Sequence, residues 1–279
     1  MRPAQILPAG WPEGRTLAVS VSVMLEGWTD KAAPGVGPMG NVLKVGVLDL
    51  QGRSWAEYGA KEGAWRLMDV LAAAETKAVF YVSGILAERN PDLMREIVRA
   101  GHVVAAHGWG QEIIPATQTE DEERTDLTRC IRALEASSGQ RPRGWLSPRC
   151  TPSARTAELL AEAGLRWHCE YFDEDLPRVI TTAKGGIIGV PFTMEVNDMP
   201  HAVRYGNDPQ GYPGILSDIL DGWPTLSSRA ACLDVTAHAH VYGRPFGALA
   251  FRKALRLLKD RQDFVYLTDH DTMAGLYSA

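Results

Sequence analysis

The chain has 279 residues, 45% hydrophobic and 23% charged, with a net charge of -5 and no basic run. This is ordinary globular composition, and it argues against nucleic acid or an anionic membrane as the main partner. No stretch nears 18 consecutive apolar residues, the opening MRPAQILPAGWPEG has no apolar signal core, and Cys130, Cys150, Cys169 and Cys232 form no C-x-x-C pair, so a cytoplasmic protein with reduced thiols is expected.

In chain order, TLAVSVSVML (16–25) alternates apolar and small residues and predicts a strand. A Gly-, Pro- and Asp-rich stretch from Gly27 to about Ser54 reads as a loop, long enough to suggest a functional excursion. Helical spacing over 63–75 precedes a buried strand at AVFYVSG (78–84). NPDLMREIVRAG (90–101) sets Asn90 as N-cap, Pro91 at the first helical position and Gly101 at the stop. HVVAAHG (102–108) is the next strand. Thr119 with Glu122 forms a capping box, ahead of a helix with the stripe Leu127, Cys130, Ile131 and Leu134. PRGWLSP is a short strand and PSARTAELLAEAG a helix. LRWHCEY, IIGVPFT and ACLDVTAH are strands, PFGALAFRKALRLLKD is a helix, and FVYLTD is the last strand.

Strands alternating with helices imply parallel βαβ units. Seven or eight parallel strands fit a single distorted (β/α) barrel over residues 1–279, with an open doubly wound sheet as the alternative. No glycine-rich phosphate loop follows a strand, so no nucleotide cofactor is expected. Chemistry in such folds gathers at the C-terminal strand ends. The polar residues there are Glu26, His107, Arg149, Asp173 with Asp175, Glu195 with Asn197 and Asp198, and His238 with His240.

The order of these stretches resembles the polysaccharide deacetylase (NodB-homology) superfamily from about Trp11 to Leu267. AVFYVSGILAERNPDLMREIVRAGHVVAAHGW, RGWLSPR and DVTAHAHVYGRP carry the resemblance. WPEGRTLAVSVSVMLEGW leans toward the branch of peptidoglycan-deacetylase-like proteins, cofactor-independent allantoinases and cyclic imide hydrolases. The resemblance implies a NodB-like barrel. It also implies a base and a metal-ligating aspartate after the first strand, an H-x-x-x-H ligand pair, and a catalytic histidine in the final motif. Here Met24 and Glu26 stand at the aspartate positions, His107 keeps the first histidine, Gln111 replaces the second, and His238 keeps the last.

The expected catalytic residues are therefore His238, Glu26 and His107. Glu26 and His107 would hold a divalent metal such as zinc weakly or not at all, because an amide oxygen is a poor zinc ligand beside imidazole. Arg149, Trp28, Trp109, Gln111, Asp175 and Asp198 are expected to bind substrate, the two tryptophans as flat walls. Asp175 and Asp198 could instead orient histidines or sit solvated, and His240 reads as a loop residue. The expected function is hydrolysis of a non-peptide C–N bond in a small, cyclic amide, imide or ureide, by a homo-oligomer. Two alternatives are a metal-dependent carbohydrate N-deacetylase and a non-catalytic binding protein on a decayed barrel.

Overall fold

The computed structural model describes residues 10–40, 43, 44, 46–226 and 229–277. β1 (Leu17–Leu25) is buried at all nine positions because it lies at the centre of a largely parallel sheet. β9 (Ala231–His238) flanks its whole length. On the other side, β10 (Val265–Thr268) pairs with its first half and β2 (Val79–Val82) with its second. The sheet continues from β2 through β3 (Val103–Ala106), β4 (Gly144–Trp145), β5 (Trp167–Tyr171) and β7 (Gly185–Pro191) to β6 (Arg178–Thr182), and beyond β9 it ends at β8 (Val196–Asn197). Only β6 with β7 is antiparallel among the paired strands described. The sheet curls into a half-barrel of the NodB-like (β/α) kind, as expected from the alternating pattern. Its ten strands among the described residues include two of only two residues, too short to leave a periodic signal.

Period-two alternation divides the core. Leu17, Val19, Val21, Val23 and Leu25 of β1 face the helices, together with Leu233, Val235 and Ala237 of β9. Against them pack α2 (Ala64–Ala73), α4 (Pro91–Arg99), α5 (Glu120–Ser138) and α8 (Pro245–Lys259), through residues such as Leu67, Ile97, Leu134 and Phe251. The opposite positions, including Ala18, Met24, Tyr81, Trp167, Cys169 and Cys232, enclose a second core inside the curl. This alternation aims Glu26, two residues beyond Met24, and His238 toward the same inner face.

Local signals mostly act as expected. Thr119 and Glu122 complete the capping box of α5. Asn90 occupies the N-cap of α4, but its amide donates back to the Leu86 carbonyl at 3.0 Å. The short helix α3 (Gly84–Arg89) ends at Asn90, and its carbonyl claims the side chain first. The loop after Glu26 is shorter than expected, since Asp49 caps α1 (Leu50–Tyr58) by accepting from the Gly52 amide at 2.8 Å; residues 41, 42 and 45 of that stretch lie outside the described residues.

A turn at Gly59–Gly63 joins α1 to α2. A Cβ on Gly63 would fall 1.9 Å from the Ala239 carbonyl oxygen, and one on Gly243 would fall 2.0 Å from the same atom. The two glycines let α1 and α2 close onto the chain just after β9. Three further helices complete the chain: α6 (Thr156–Glu162), α7 (Gly211–Leu226) and α9 (His270–Tyr277). Among the described residues, no helix is long and apolar enough to cross a membrane.

Candidate active site

Glu26 is the first residue past β1, and backbone bonds on both sides fix it. The Leu25 carbonyl accepts from Ser83 N, Gly27 N donates to Ser83 Oγ, and the Gly27 carbonyl accepts from Gln111 N at 2.9 Å. The Glu26 side chain is 11% exposed and is surrounded by imidazoles. His107 Nε2 lies 3.6 Å from Oε1, His238 Nε2 lies 3.8 Å from the same oxygen, and His240 Nε2 lies 3.8 Å from Oε2. The structure thus brings together the three residues read as catalytic, Glu26, His107 and His238, and adds a fourth.

Each histidine is oriented differently. His107 Nδ1 donates to the Leu146 carbonyl at 2.7 Å, which leaves Nε2 facing Glu26. His238 Nδ1 donates to Asp198 Oδ1 at 2.6 Å, while Asp198 Oδ2 accepts from the backbone amides of His238 and Tyr242. Asp198 is fully buried, so its role is to hold the His238 ring; the expectation of substrate contact is corrected. His240 was read as a loop residue and is instead packed edge-on to Trp55 at 4.5 Å and Trp28 at 5.9 Å. Neither of its ring nitrogens has a hydrogen-bond partner among the described residues. The amides of Val241, Tyr242 and Gly243 all turn back to the His238 carbonyl. β9 ends at His238, but the tight turn keeps His240 on the inner face that it would take if the strand continued two residues further.

The electrostatics follow from these neighbours. Burial pushes the Glu26 pKa up, but the charge of His238 and then the neighbouring His107 and His240 imidazoles outweigh it and hold it at about 2. Burial pulls His238 down, yet Asp198 and then Glu26 raise it above the ordinary histidine value. His240, with the same Glu26 but no hydrogen bond, is pulled down by burial to about 4 and is neutral near pH 7. A fixed anion therefore sits between an imidazole biased toward its charged form and an uncharged one.

The remaining expected residues fall in different places. Trp28 is partly exposed and lines a narrow recess over Glu26, with Pro34, Arg53, Ala56, Glu57, Leu86 and Arg89. Gln111 is buried beside it, its amide donating to Ser83 Oγ and to the His107 carbonyl.

Three expectations are corrected. Trp109 is not a pocket wall: it is buried, its ring covered by the Arg129 guanidinium at 3.4 Å, so it belongs to the packing of α5. Asp175 lies away from the site: its carbonyl accepts from Cys232 N at 2.7 Å. Cys232 is six residues before His238 on β9, roughly 20 Å at the rise of a strand. Beyond β5 the chain runs back along the edge of the sheet, so a position after a strand is not a position at its mouth. Arg149 is exposed and does not line the recess; the turn at Pro148–Cys150 holds it at φ 55° and directs its guanidinium onto Gly35. A broader hollow lined by Asp221, Pro224, Lys259 and Phe264 holds none of the clustered residues.

A divalent metal is implied by the resemblance, and the donors present do not match the set it needs. Met24 lies in the inner apolar core, and the Gln111 amide nitrogen is committed to Ser83 and His107. Both His107 and His238 aim at one carboxylate oxygen. Among the described residues, no group of three or more His, Cys, Asp or Glu has metal-holding geometry.

This geometry and fold define a class, and comparison with known proteins supports it. The polysaccharide deacetylase family model matches residues 56–168. A Schizosaccharomyces pombe protein, named among polysaccharide deacetylases, is 24% identical over 247 residues, covering 80% of this chain and 75% of that one. The crystal structure of a probable polysaccharide deacetylase from Pseudomonas aeruginosa PAO1 superposes with a TM-score of 0.86 at 25% identity, over 96% of this chain and 92% of that one. PuuE allantoinase gives the same TM-score of 0.86 and the same coverage, 96% and 92%, at 24% identity, which speaks for the fold. The resemblance read from the sequence is borne out: residues 56–168 match the polysaccharide deacetylase family model, and the fold matches that of a probable polysaccharide deacetylase over nearly the whole chain.

Proposed function

We propose that this chain hydrolyses a C–N bond in a small cyclic amide, imide or ureide. The observation that carries the proposal is the ionised Glu26 at the floor of a narrow recess, with three imidazole Nε2 atoms 3.6–3.8 Å from its oxygens. The recess is narrow, which favours a compact ligand over a polymer. The same fold serves deacetylases and an allantoinase, so the site rather than the fold must decide.

In the proposed reaction, water sits between His107 and Glu26. The His107 Nε2 lone pair accepts a proton as the water oxygen bonds to the carbonyl carbon. His238, held protonated by Asp198 and Glu26, donates its Nε2 proton to the leaving nitrogen as the C–N bond breaks. Glu26, at about 2, is too weak a base to keep a proton near neutrality. Its role is to stabilise whichever neighbouring imidazole is charged. Ring strain, or the poorer resonance of an imide, supplies the electrophilicity that an acetamide lacks.

The test is kcat/KM for a series of cyclic imides and ureides against N-acetylglucosamine oligomers, each with chelator and with added zinc. The rings are expected to react faster in both conditions. Faster cleavage of the oligomers, or activity only with zinc, would overturn the reading.

A further inference from the structure

We infer that the recess over Glu26 carries an anion-recognition end, formed by Arg53 and Arg89, and that its ligand bears a carboxylate opposite the scissile carbonyl. The inference rests on the reading of this recess as the substrate site. Arg53 comes from α1 and Arg89 from α3, and both line the recess with Glu26. Like charges do not gather at a pocket without counter-ions: Glu57 pairs with Arg53 alone, and one carboxylate, Asp30, bridges both arginines. Asp30 Oδ1 accepts from Arg89 Nη2 at 2.8 Å and from Arg53 Nη2 at 3.3 Å. The Asp30 and Trp28 carbonyls accept from the other arms, Arg53 Nη1 at 3.2 Å and Arg89 Nη1 at 3.3 Å. Arg53 Nε is turned to Glu57 at 3.2 Å, which fixes that fork in place.

Asp30 itself is weakly committed. Its side chain is 75% exposed, against 32% for Arg53 and 39% for Arg89. Ion pairs this exposed contribute little, so an incoming carboxylate can displace it at small cost. Two planar guanidinium forks suit a carboxylate better than a point charge would. The ionised Glu26 repels an anion at the floor of the recess, which favours a ligand with its carboxylate at the arginines and its carbonyl toward Glu26. Asp30 acts as a built-in stand-in for the ligand's carboxylate. The substrate class narrows to small amides, imides or ureides that carry one carboxylate.

The probe pair is succinamate and succinamide, of nearly equal shape and differing by one negative charge, with binding read by calorimetry on the whole chain. Succinamate is expected to bind and succinamide to bind at least about tenfold more weakly. Arg53→Gln and Arg89→Gln should each weaken succinamate about tenfold and leave succinamide unchanged. Asp30→Ala should bind succinamate several-fold tighter, because the internal competitor is gone. Thermal melts establish that each variant is folded. Equal binding of the two probes, absence of succinamate binding to the wild type, or unchanged affinity in Asp30→Ala would overturn the inference. Binding is read without turnover, so failure of the hydrolytic reaction is a separate result.

Discussion

Two carboxylates on the inner face of the sheet, Glu26 and Asp234, are buried beside histidines and end up in opposite states. Glu26 is held at about 2, whereas Asp234 is pushed up to about 7. Both are desolvated, and desolvation alone would raise both. The difference is in the partners. Glu26 has three imidazoles within 4 Å, one of them charged through Asp198. Asp234 has hydroxyl donors, Ser22 and Thr236, and His270 at 3.4 Å. His270 is forced down by burial to about 3, so it stays neutral, and its Nδ1 is bonded to Tyr81. Residue type is the same; whether the neighbouring histidine can hold a proton decides the chemistry. The outer cluster, around Glu26, is built to manage charge, and the inner one, around Asp234, favours the protonated carboxyl until pH nears 7.

The largest effects should come from breaking the outer cluster. His238→Ala is expected to cost about 10²–10⁴-fold in kcat with the melting curve preserved, the usual range for a general acid. A variant within a few-fold of wild type would retire His238 as proton donor. Glu26→Gln is nearly isosteric but removes the anion that keeps His238 protonated. It should cost about 10²–10³-fold, and the His238 resonances followed by NMR should titrate at lower pH than in the wild type. An unchanged titration would mean that Asp198 alone sets the state of His238.

The inner cluster predicts a stability effect. The ordinary aspartate value is 3.8 and the folded value of Asp234 about 7. Between them the folded chain keeps a proton that the unfolded chain has lost, so stability falls as pH rises through this window. Asp234→Asn cannot ionise and should overtake the wild type as pH rises from 5 to 8, by on the order of a few kcal/mol. Urea melts at the two pH values read it. A gap that stays constant would show that Asp234 is already ionised inside the sheet.

The outer cluster was partly legible in the sequence and the inner one was not. Glu26, His107 and His238 stand out because each is a polar residue ending an apolar run. His240 was taken for a loop residue because β9 ends at His238, and a turn of three amides onto one carbonyl leaves no periodic trace to show that His240 keeps the same face. Trp55 was missed with it, since α1 was hidden in a stretch read as loop. α7 went unread because Pro213, Gly214, Gly222 and Pro224 interrupt its pattern. Asp234 was read only as part of a strand, for a lone acidic residue among apolar neighbours does not say which face it takes. Trp109 and Asp175 show the opposite error: for Trp109 adjacency to His107 in sequence, and for Asp175 a place after a strand, was taken for a place at the site, and Arg129 and Cys232 claim them instead.

The smallest effect sharpens the comparison most, because it alters the charge of a neighbour without touching Glu26 or an imidazole. Asp198→Asn keeps an oxygen for the backbone amides of His238 and Tyr242 but removes the charge against Nδ1. Asp198 is the first of the groups that raise His238 against its burial. Proton donation by His238 requires its charged form, so activity should fall as pH rises through its pKa. In Asp198→Asn that alkaline limb should move to lower pH, and kcat near neutrality should drop about tenfold, at the low end for loss of one supporting charge. The acid side should be unaffected, because Glu26 remains ionised well below it. If the whole profile merely scales down without moving, Asp198 only positions the ring, and the contrast between the two carboxylates would rest on Glu26 alone.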